Sequence, residues 1–497
     1  MDLTIHPHPL AGATRAIASK SLAHRALILA ALCSQMTDIL CPTSSDDIDA
    51  TVGCLEALGA RIARTNAGFR VRPIPREGGR VRPKEVVLLD CRESASTLRF
   101  MLPLACALGV DATLDGQGRL AERPLLPLSD ELVRHGAVLD WRGRLPLRLS
   151  GTLRPGEFRL PGNVSSQYVS GLLLASAALG GPMCVLVEEP VESRSYIGMT
   201  IDMLASFGAE VEMGRRTRDG RPYWSFTPHC EEGLVCPGTL TIEGDWSCGA
   251  FWLCAGAIGG DGITLRGLDT ASSQGDRAMA LALESMGAQV FSRADGVSCR
   301  ASQLGPCSFD ASDTPDLVPP LAVACAFAQG VSRITGVGRL RLKESDRIKT
   351  VCLTLRRMGA RVNATEDLIE VLGSGKLVGG EVDAAGDHRI AMMAAVAAAY
   401  CTGPTTMQPS ASLSPIPPSS TTFAYSAVSW KGRMPDAVHV RNHAQGHDLW
   451  PIALCGHRLC HGRAPLRPQG RSCGARPVHG TSRTWTGRLV DAAQGGR

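Results

Sequence analysis

Residues 54–62, CLEALGARI, join the end of an amphipathic helix to the start of a strand through Gly59. The same helix–glycine–strand pattern returns four more times along the chain. The further copies are ELVRHGAVL at 131–139, MLASFGAEV at 203–211, LESMGAQV at 283–290 and LRRMGARV at 355–362. Because glycine lacks a Cβ, it suits the left-handed conformation that ends a helix. The pattern therefore predicts an α/β unit that is used repeatedly.

The spacing of these glycines defines the length of the unit. Successive copies are 72 to 79 residues apart, which is too long for a solenoid repeat and suits a small α/β unit. A period of about 75 residues places a sixth copy near residue 434, but no such pattern occurs there. The composition also changes near Gln408, after which Ser, Pro, Arg, Gly and His predominate. We expect the ordered protein to end close to Gln408 and residues 409–497 to form a disordered tail.

Composition narrows the class of protein. The 497 residues are 44% hydrophobic and 20% charged, as in globular proteins, and the formal charge of +5 is too small to indicate nucleic-acid binding. No apolar run is long enough to span a bilayer, and the first residues lack a secretory signal, so a cytoplasmic protein with no membrane partner is expected.

The cysteines do not indicate a metal site. The 18 cysteines are scattered, many of them in apolar runs, and no CxxC pair occurs. The spacing of Cys455, His457, Cys460 and His461 fits no standard zinc finger. We interpret the cysteines as small buried hydrophobic residues in a reducing compartment, with no metal bound.

Several short segments concentrate cationic and hydroxyl side chains among small residues. They are SKSLAHR at 19–25, CRESASTLR at 91–99, GQGRLAERP at 116–124, NVSSQY at 163–168, ESRSYIG at 192–198, RLRLKESDR at 339–347 and GDHR at 386–389. Each segment alone is typical of a helix cap, but together they predict a site for a small molecule with more than one anionic group. No GxxxxGK[ST] loop occurs, so a nucleoside triphosphate is not indicated.

Four residues are candidates for acid–base chemistry: Asp316, Glu344, Asp387 and His388. The proline before Asp316 favours a turn, which could present the carboxylate to a cleft. Glu344 lies beside Lys343 and near Arg347, so a surface ion pair on a helix is an alternative interpretation.

At these segments the sequence resembles the 3-phosphoshikimate 1-carboxyvinyltransferases, also called EPSP synthases, from about Leu3 to about Gln408. The shared motifs, in order, are SKSxxxR, ESxSTLR, GxxRLxxRP, GNVSSQ, SxxYI, a PD turn, LKESDRI and DHRxAM. The resemblance implies transfer of the enolpyruvyl group of phosphoenolpyruvate to the 5-hydroxyl of shikimate 3-phosphate, with release of phosphate. It also implies a monomer that needs no metal or organic cofactor.

The resemblance implies an α/β fold with two similar domains, each made of three βαβαββ units, and a substrate cleft between them. This is the inside-out α/β barrel of the enolpyruvyl transferases. The first domain would comprise residues 1–19 and 234–408, with its last unit incomplete, and the second residues 20–233. Residues 409–497 would lie outside both domains.

The resemblance also assigns residues, motif by motif. For shikimate 3-phosphate it implies contacts from Lys20, Ser21, Arg25, Ser165, Ser166, Gln167, Ser193, Asp316 and Lys343. For phosphoenolpyruvate it implies contacts from Lys20, Ala95, Arg119, Gln167, Arg347 and Arg389. Asp316, Glu344 and Lys20 would be catalytic in an addition–elimination reaction through a tetrahedral intermediate, with Asp316 nearest the hydroxyl.

Ala95 departs from the family pattern, which has glycine at this position of the ESGSTLR motif. A methyl group that projects into the phosphoenolpyruvate site should hinder glyphosate, a longer inhibitor that occupies it. We expect lowered glyphosate sensitivity, with weaker phosphoenolpyruvate binding. A local backbone shift that absorbs the methyl group is the alternative.

The end of the chain departs further. Where the family has a segment like AKSYPAFF, whose lysine reaches the phosphoenolpyruvate site, this chain has SPIPPSS at 414–420. A GC-rich coding of KSYPAFF, read one nucleotide later, translates as SPIPPSS. We interpret residues after Gln408 as a suspected frameshift product.

Two other functions are possible from the sequence. Without the closing segment and its lysine, the chain could be a binding-only remnant that holds shikimate 3-phosphate without turnover. The sister family acts on UDP-N-acetylglucosamine and normally has Lys-Asn where this chain has Lys20-Ser21, which disfavours it.

Overall fold

The structure is a computed structural model that describes residues 3–76, 81, 86–230 and 232–408. The predictions made for the C-terminal tail concern residues that are not among those described. The predicted disorder of 409–497, the missing sixth copy near 434, the altered segment 414–420 and the Cys455–His461 cluster all lie outside the described residues.

Eleven α-helices occur in the described part of the chain. They are α1 Lys20–Leu32, α2 Asp46–Ala57, α3 Ala95–Leu108, α4 Leu128–Arg134, α5 Ser166–Leu179, α6 Arg194–Ser206, α7 Trp246–Ile258, α8 Ala278–Ser285, α9 Val318–Phe327, α10 Arg347–Arg357 and α11 His388–Ala399. Short 3₁₀ turns cover Gly118–Glu122, Gly275–Arg277, Pro315–Leu317 and Gly338–Leu342. Among these described helices, none combines the length and apolar character that a membrane span needs.

The strands alternate with the helices. They are β1 Leu3–Ile5, β2 Gly12–Arg15, β3 Thr37–Leu40, β4 Arg61–Thr65, β5 Gly68–Arg72, β6 Val87–Asp90, β7 Ala112–Asp115, β8 Ala137–Asp140, β9 Leu147–Gly151, β10 Gly156–Pro161, β11 Met183–Glu188, β12 Glu210–Arg218, β13 Arg221–His229, β14 Thr239–Thr241, β15 Ile263–Arg266, β16 Gln289–Arg293, β17 Gly296–Arg300, β18 Ser308–Asp310, β19 Gln329–Thr335, β20 Arg361–Ala364, β21 Leu368–Ser374, β22 Gly380–Asp383 and β23 Thr405–Gln408.

The strands form six separate sheets, which do not close into one barrel among the described residues. Five of these sheets follow one plan: a parallel pair, followed by two strands that continue the sheet antiparallel. In chain order, the strands and helices of such a unit read βαβαββ, as β6-α3-β7-α4-β8-β9 does. The mixed α/β fold class is thus confirmed, and the glycine pattern corresponds to one junction in each unit.

Two sheets exchange a strand. β2 pairs in parallel with β15, and β14 pairs in parallel with β3, so each of the two units receives its first strand from the other. The segments that follow the exchanged strands meet at a bridge between Ala18 and Gly244. The sixth sheet contains β22, β23 and the N-terminal strand β1, which runs antiparallel to β23.

The buried side chains form two clusters, and each has three long helices near its centre. One cluster extends from Ala18 to Ile242 and contains α1, α3 and α5, and the other contains Ile5, Leu10 and the apolar residues of 246–407, with α7, α9 and α11. This division supports the predicted two domains, whose boundaries stay a prediction. Residues 234–242 pack with the first of these clusters, so the return crossing lies nearer Glu243 than the predicted 233/234.

The helix ends match the prediction from the glycine pattern. All five glycines have positive φ angles: Gly59 +107°, Gly136 +103°, Gly208 +78°, Gly287 +102° and Gly359 +96°. A strand begins one or two residues after each of them. The left-handed helix ends predicted from the sequence are therefore confirmed at all five positions.

Candidate active site

The starts of several long helices converge on one cavity. Its wall includes the first residues of α1, α3, α5 and α11, namely Lys20, Ala95, Ser166 and His388. The free backbone N–H groups at a helix start carry partial positive charge, and they attract anions. Convergence of helix starts therefore favours an anionic ligand in this cavity.

Hydroxyl and amide groups form one side of the cavity. Ser165 caps α5 by accepting a hydrogen bond from the backbone N–H of Gln167 at 3.3 Å. The Gln167 amide is fixed on both sides, because Arg99 donates to its oxygen at 2.7 Å and its nitrogen donates to Ser96 at 2.9 Å. Ser21, Ser166 and Ser193 also line the cavity. The predicted hydroxyl and amide residues are thus brought together.

Asp316 lies opposite, held by three cations. The turn Pro315–Leu317 that precedes α9 presents it, as the proline in the sequence indicated. Its Oδ1 accepts from Arg347 at 2.9 Å and Lys343 at 3.4 Å, and its Oδ2 accepts from Arg389 at 2.8 Å. Burial opposes the charge, but Arg389, Lys343 and Arg347 hold the pKa of this carboxyl well below its usual range.

Arg347 links Asp316 to the other carboxylates. It is buried at the start of α10 and donates to Glu344 Oε2 at 2.5 Å and to Asp387 Oδ2 at 2.7 Å. Glu344 also faces Arg123 across the cavity at 3.4 Å. Partial desolvation opposes the charge, but Arg347 and Arg123 keep the pKa of Glu344 well below its usual value. The ion pair of the alternative interpretation is present, but its arginine is buried and Glu344 lines the cavity before α10, so the pair belongs to the cavity wall.

Lys20 forms an ion pair with Asp47, a residue that the sequence analysis missed. Lys20 Nζ lies 2.5 Å from Asp47 Oδ2. Burial by itself would lower the pKa of Lys20, but Asp47 raises it above the ordinary value. Burial likewise opposes the charge on Asp47, but Lys20 lowers its pKa to about 2. Lys20 therefore stays protonated at neutral pH.

Two predicted arginines lie elsewhere. Arg25 is absent from the described cavity wall; it donates to Thr200 at 2.8 Å, to the Ser21 carbonyl at 2.6 Å and to the Tyr196 carbonyl at 3.0 Å. These bonds occupy its guanidinium and tie it to Ser21 and Tyr196, which do line the cavity. The predicted contact of Arg25 with shikimate 3-phosphate therefore stays a prediction.

Arg119 is also absent from the described wall; it is exposed and donates to the carbonyl of the wall residue Glu344 at 3.0 Å, so its predicted contact with phosphoenolpyruvate stays a prediction. Arg123, four residues later in the same quoted segment, lines the cavity instead, with 10% of its side chain exposed. The motif contains two arginines, and the sequence alone does not show which one faces inward.

Other missed residues of the wall mostly lie inside the segments that the sequence analysis had singled out. Among them are Glu93, Arg99, Tyr196 and Arg339, whereas His388, also in the wall, was an acid–base candidate from the sequence. Their common signal is that they flank the predicted residues within the same short segments. Asp47 is the exception, since it lies at the start of α2 in a segment that was not selected.

Two buried cationic atoms at the cavity lack a partner in the described structure: Arg389 Nη1 and Arg99 Nε. A buried donor without an acceptor is costly, so each is suited to receive an anionic ligand. Among the described residues, no group of three or more His, Cys, Asp or Glu side chains is arranged to hold a metal ion. The arrangement suits binding of small polyanions beside carboxylate and ammonium groups.

Comparison with known proteins agrees with this geometry. Residues 5–414 match the sequence model of the EPSP synthase (3-phosphoshikimate 1-carboxyvinyltransferase) family. Relatives named 3-phosphoshikimate 1-carboxyvinyltransferase from Clostridium kluyveri and Clostridium acetobutylicum are each 38% identical, over 81% and 80% of this chain and 91% and 90% of their own lengths.

Solved structures share the fold. An EPSP synthase from Acinetobacter baumannii superposes with a TM-score of 0.67 at 24% identity, covering 86% of this chain and 96% of that one. The enolpyruvyl transferase NikO from Streptomyces tendae gives 0.62 at 20% identity, covering 82% and 93%. At these identities the likeness concerns the fold, and it agrees with the expected two-domain enolpyruvyl transferase architecture.

Proposed function

The chain belongs to the 3-phosphoshikimate 1-carboxyvinyltransferase (EPSP synthase) family, and we propose that the cavity described above carries out the family's reaction. The enzyme transfers the enolpyruvyl group of phosphoenolpyruvate to the 5-hydroxyl of shikimate 3-phosphate and releases phosphate. This step belongs to the shikimate pathway, which leads to chorismate and the aromatic amino acids. The observation that carries the proposal is the cationic cluster around Asp316 at the converging helix starts.

Phosphoenolpyruvate binds on the side of the cavity that is richest in arginine. Its phosphate and carboxylate would accept hydrogen bonds from Arg123, Arg347 and Arg389, with Lys20 and Gln167 beside them. Support comes from the unpartnered Nη1 of Arg389 and from the low exposure of Arg123 and Arg347. Guanidinium groups suit both anionic ends of the substrate because they donate in pairs.

Shikimate 3-phosphate binds on the hydroxyl-rich side. Its phosphate would accept from Ser165, Ser166 and Ser193, and its ring hydroxyls would contact Gln167 and Lys343. Support comes from the start of α5, where Ser165, Ser166 and Gln167 all line the same cavity. Lys343 contacts Asp316, so the ring would lie next to that carboxylate.

Three residues would move protons. Asp316, ionised because three cations surround it, accepts the proton of the 5-hydroxyl as its oxygen attacks. Lys20, kept protonated by Asp47, donates a proton to the methylene carbon of phosphoenolpyruvate, which completes the tetrahedral intermediate. Glu344, also ionised, removes a proton from the new methyl group as phosphate leaves. The surrounding cations stabilise the charge that develops on the carboxylate and phosphate groups.

Phosphate release from phosphoenolpyruvate, with and without shikimate 3-phosphate, tests the function directly. We expect release only when both substrates are present. Asp316→Asn should lower kcat by about 10²- to 10⁴-fold. Asp313→Asn is the matched control, because Asp313 pairs with Arg194 outside the cavity. Absence of release by the wild-type protein would overturn the proposal.

The binding-only alternative is not favoured, because the described cavity holds Asp316, Glu344 and Lys20 together. The UDP-N-acetylglucosamine alternative has no supporting observation here. In keeping with the family, we further propose that the protein works as a monomer in the cytoplasm. Size-exclusion chromatography coupled to light scattering would test the first part, and fractionation of the source cell the second.

A further inference from the structure

Asp276 is a buried carboxyl group for which the mechanism above has no use. It lies in the turn Gly275–Arg277 that leads into α8, is 4% exposed, and is absent from the described cavity wall. Its Oδ2 accepts a short hydrogen bond from Ser247. Its Oδ1 is buried and has no hydrogen-bond partner within the described part of the chain. A buried acceptor without a donor lowers the stability of the fold, so its presence calls for a functional explanation.

Tyr196 connects this carboxyl to the active site. The Tyr196 hydroxyl lies 3.4 Å from Asp276 Oδ2 and 3.2 Å from Asp316 Oδ2, and it can donate to either. Tyr196 is on α6 and packs against the first cluster, whereas Asp276 and Asp316 lie in the turns that lead into α8 and α9 of the second. One phenol therefore bridges two carboxyl groups across the cleft.

The two carboxyls lie in opposite electrostatic surroundings. Asp316 contacts three cations, whereas the side-chain partners of Asp276 among the described residues are the hydroxyls of Ser247 and Tyr196. The charged and titratable groups that face Asp276 from the neighbouring elements are Tyr196 of α6, Asp245 at the start of α7, Asp316 before α9 and Arg389 of α11. Burial, followed by the charge of Asp316, raises the pKa of Asp276 to about 6. A proton shared between the two carboxyls therefore prefers Asp276.

We propose that Asp276 is the end of a proton path, Asp316–Tyr196–Asp276, that takes up the proton released by the acceptor hydroxyl. The substrate O–H bond breaks and its proton reaches Asp316 Oδ2. That proton passes to the Tyr196 oxygen while the phenolic proton moves to Asp276 Oδ2. Asp316 is ionised again, Asp276 is neutral, and the substrate oxygen is free to form its new C–O bond. The proton returns by the same bonds to the departing phosphate, which leaves Asp276 ionised for the next cycle.

Asp276 acts through two other residues, so it is a positioning residue whose test needs a readout that a structural role would not move. The inference rests on the proposed function. Because the path requires ionised Asp276 at the start, wild-type kcat should fall below an apparent pKa near 6 as the pH decreases. Asp276→Asn keeps an acceptor for Ser247 and Tyr196 but takes up no proton. We expect at least an about tenfold lower kcat, KM values within about twofold of wild type for both substrates, and loss of the acidic limb.

Tyr196→Phe provides the second variant, since it removes the bridging hydroxyl and keeps the ring. It should lower kcat by a similar factor. The double variant with Asp276→Asn should have nearly the same kcat as either single variant. If kcat still falls at acidic pH in both variants, or if either variant has the wild-type kcat, the proposed proton path is wrong. Raised KM values with an unchanged pH profile would show a structural role and would also overturn it. Inactivity of the wild-type enzyme with both substrates contradicts the proposed function instead, so the two failures are distinguishable.

Discussion

Arg119 and Arg123 belong to one turn and differ in the direction of their side chains. Arg123 lines the cavity and faces the Glu344 carboxylate, whereas Arg119 is exposed and donates to the Glu344 carbonyl. We expect Arg123→Ala to raise the KM for phosphoenolpyruvate by at least about tenfold, because a desolvated ion pair with the substrate is lost. Arg119→Ala, the matched control, should change it by less than about threefold. Steady-state kinetics with varied phosphoenolpyruvate decide the assignment, and equal effects would contradict it.

Ala95 is the second residue whose effect can be isolated. It is the first residue of α3, 8% exposed, between Ser94 and Ser96 in the cavity wall. Its methyl group narrows the region assigned to phosphoenolpyruvate. Ala95→Gly should lower the glyphosate concentration for half-inhibition by about tenfold or more and should also lower the KM for phosphoenolpyruvate. Inhibition of the wild-type enzyme at the same low concentration as the variant would show that the backbone absorbs the methyl group.

At the scale of the element, the repeated glycine junction makes a prediction about stability. Gly359 has φ +96°, and an added Cβ would lie 2.8 Å from Val378 Cγ2. Gly359→Ala should therefore destabilise the fold by about 1–3 kcal/mol. Gly53 is the matched control: it lies inside α2 with no atom within 4 Å of an added Cβ, so alanine there should stabilise by about 0.5–1 kcal/mol. Urea unfolding measures both, and a stabilising Gly359→Ala would contradict the role of the junction.

The junctions were predictable from the sequence because they are local. A helix end, a residue with positive φ and the next strand lie within about ten residues, so the chain itself specifies them. The exchange of β2 and β14 was not predictable in this way. It pairs Gly12 with Ile263 and Asp38 with Thr239, which are about 200 or more residues apart. Such pairing depends on how two finished units meet, and no local pattern encodes it.

In the candidate site, too, the locally determined features were predictable and the long-range ones were not. Motifs at helix starts identified Lys20, Ser166 and Arg389 because a helix start fixes where its first residues point. Arg119 and Arg123 differ because the direction of a side chain in a turn depends on which distant segment packs against that turn. Here that segment contains Glu344. Arg25 illustrates the same limit, since its partners Thr200 and Tyr196 lie on α6.

At the scale of the whole molecule, positive charge is concentrated in the cavity wall, and the small net charge of the chain does not reveal this. The wall carries seven cationic side chains and four anionic ones, although the chain as a whole is only +5. The KM values of both anionic substrates should therefore rise by about three- to tenfold between 0.05 and 0.5 M NaCl, with a smaller change in kcat. Sucrose at matched osmolality is the control. Equal KM values at both salt concentrations would show that hydroxyl and amide donors, not charge, dominate binding.

The N-terminal strand has a consequence for how the chain is made. β1 pairs with β23, with Leu3 opposite Met407, and β2 pairs with β15. A ribosome adds about 5–20 residues per second, so β1 waits on the order of 20–80 s for its partner to emerge. During that interval, residues 18–242 can assemble their own core, while the first strands remain unpaired edges. Nascent chains of this protein should therefore depend on chaperones that hold the N-terminal segment until translation is nearly complete.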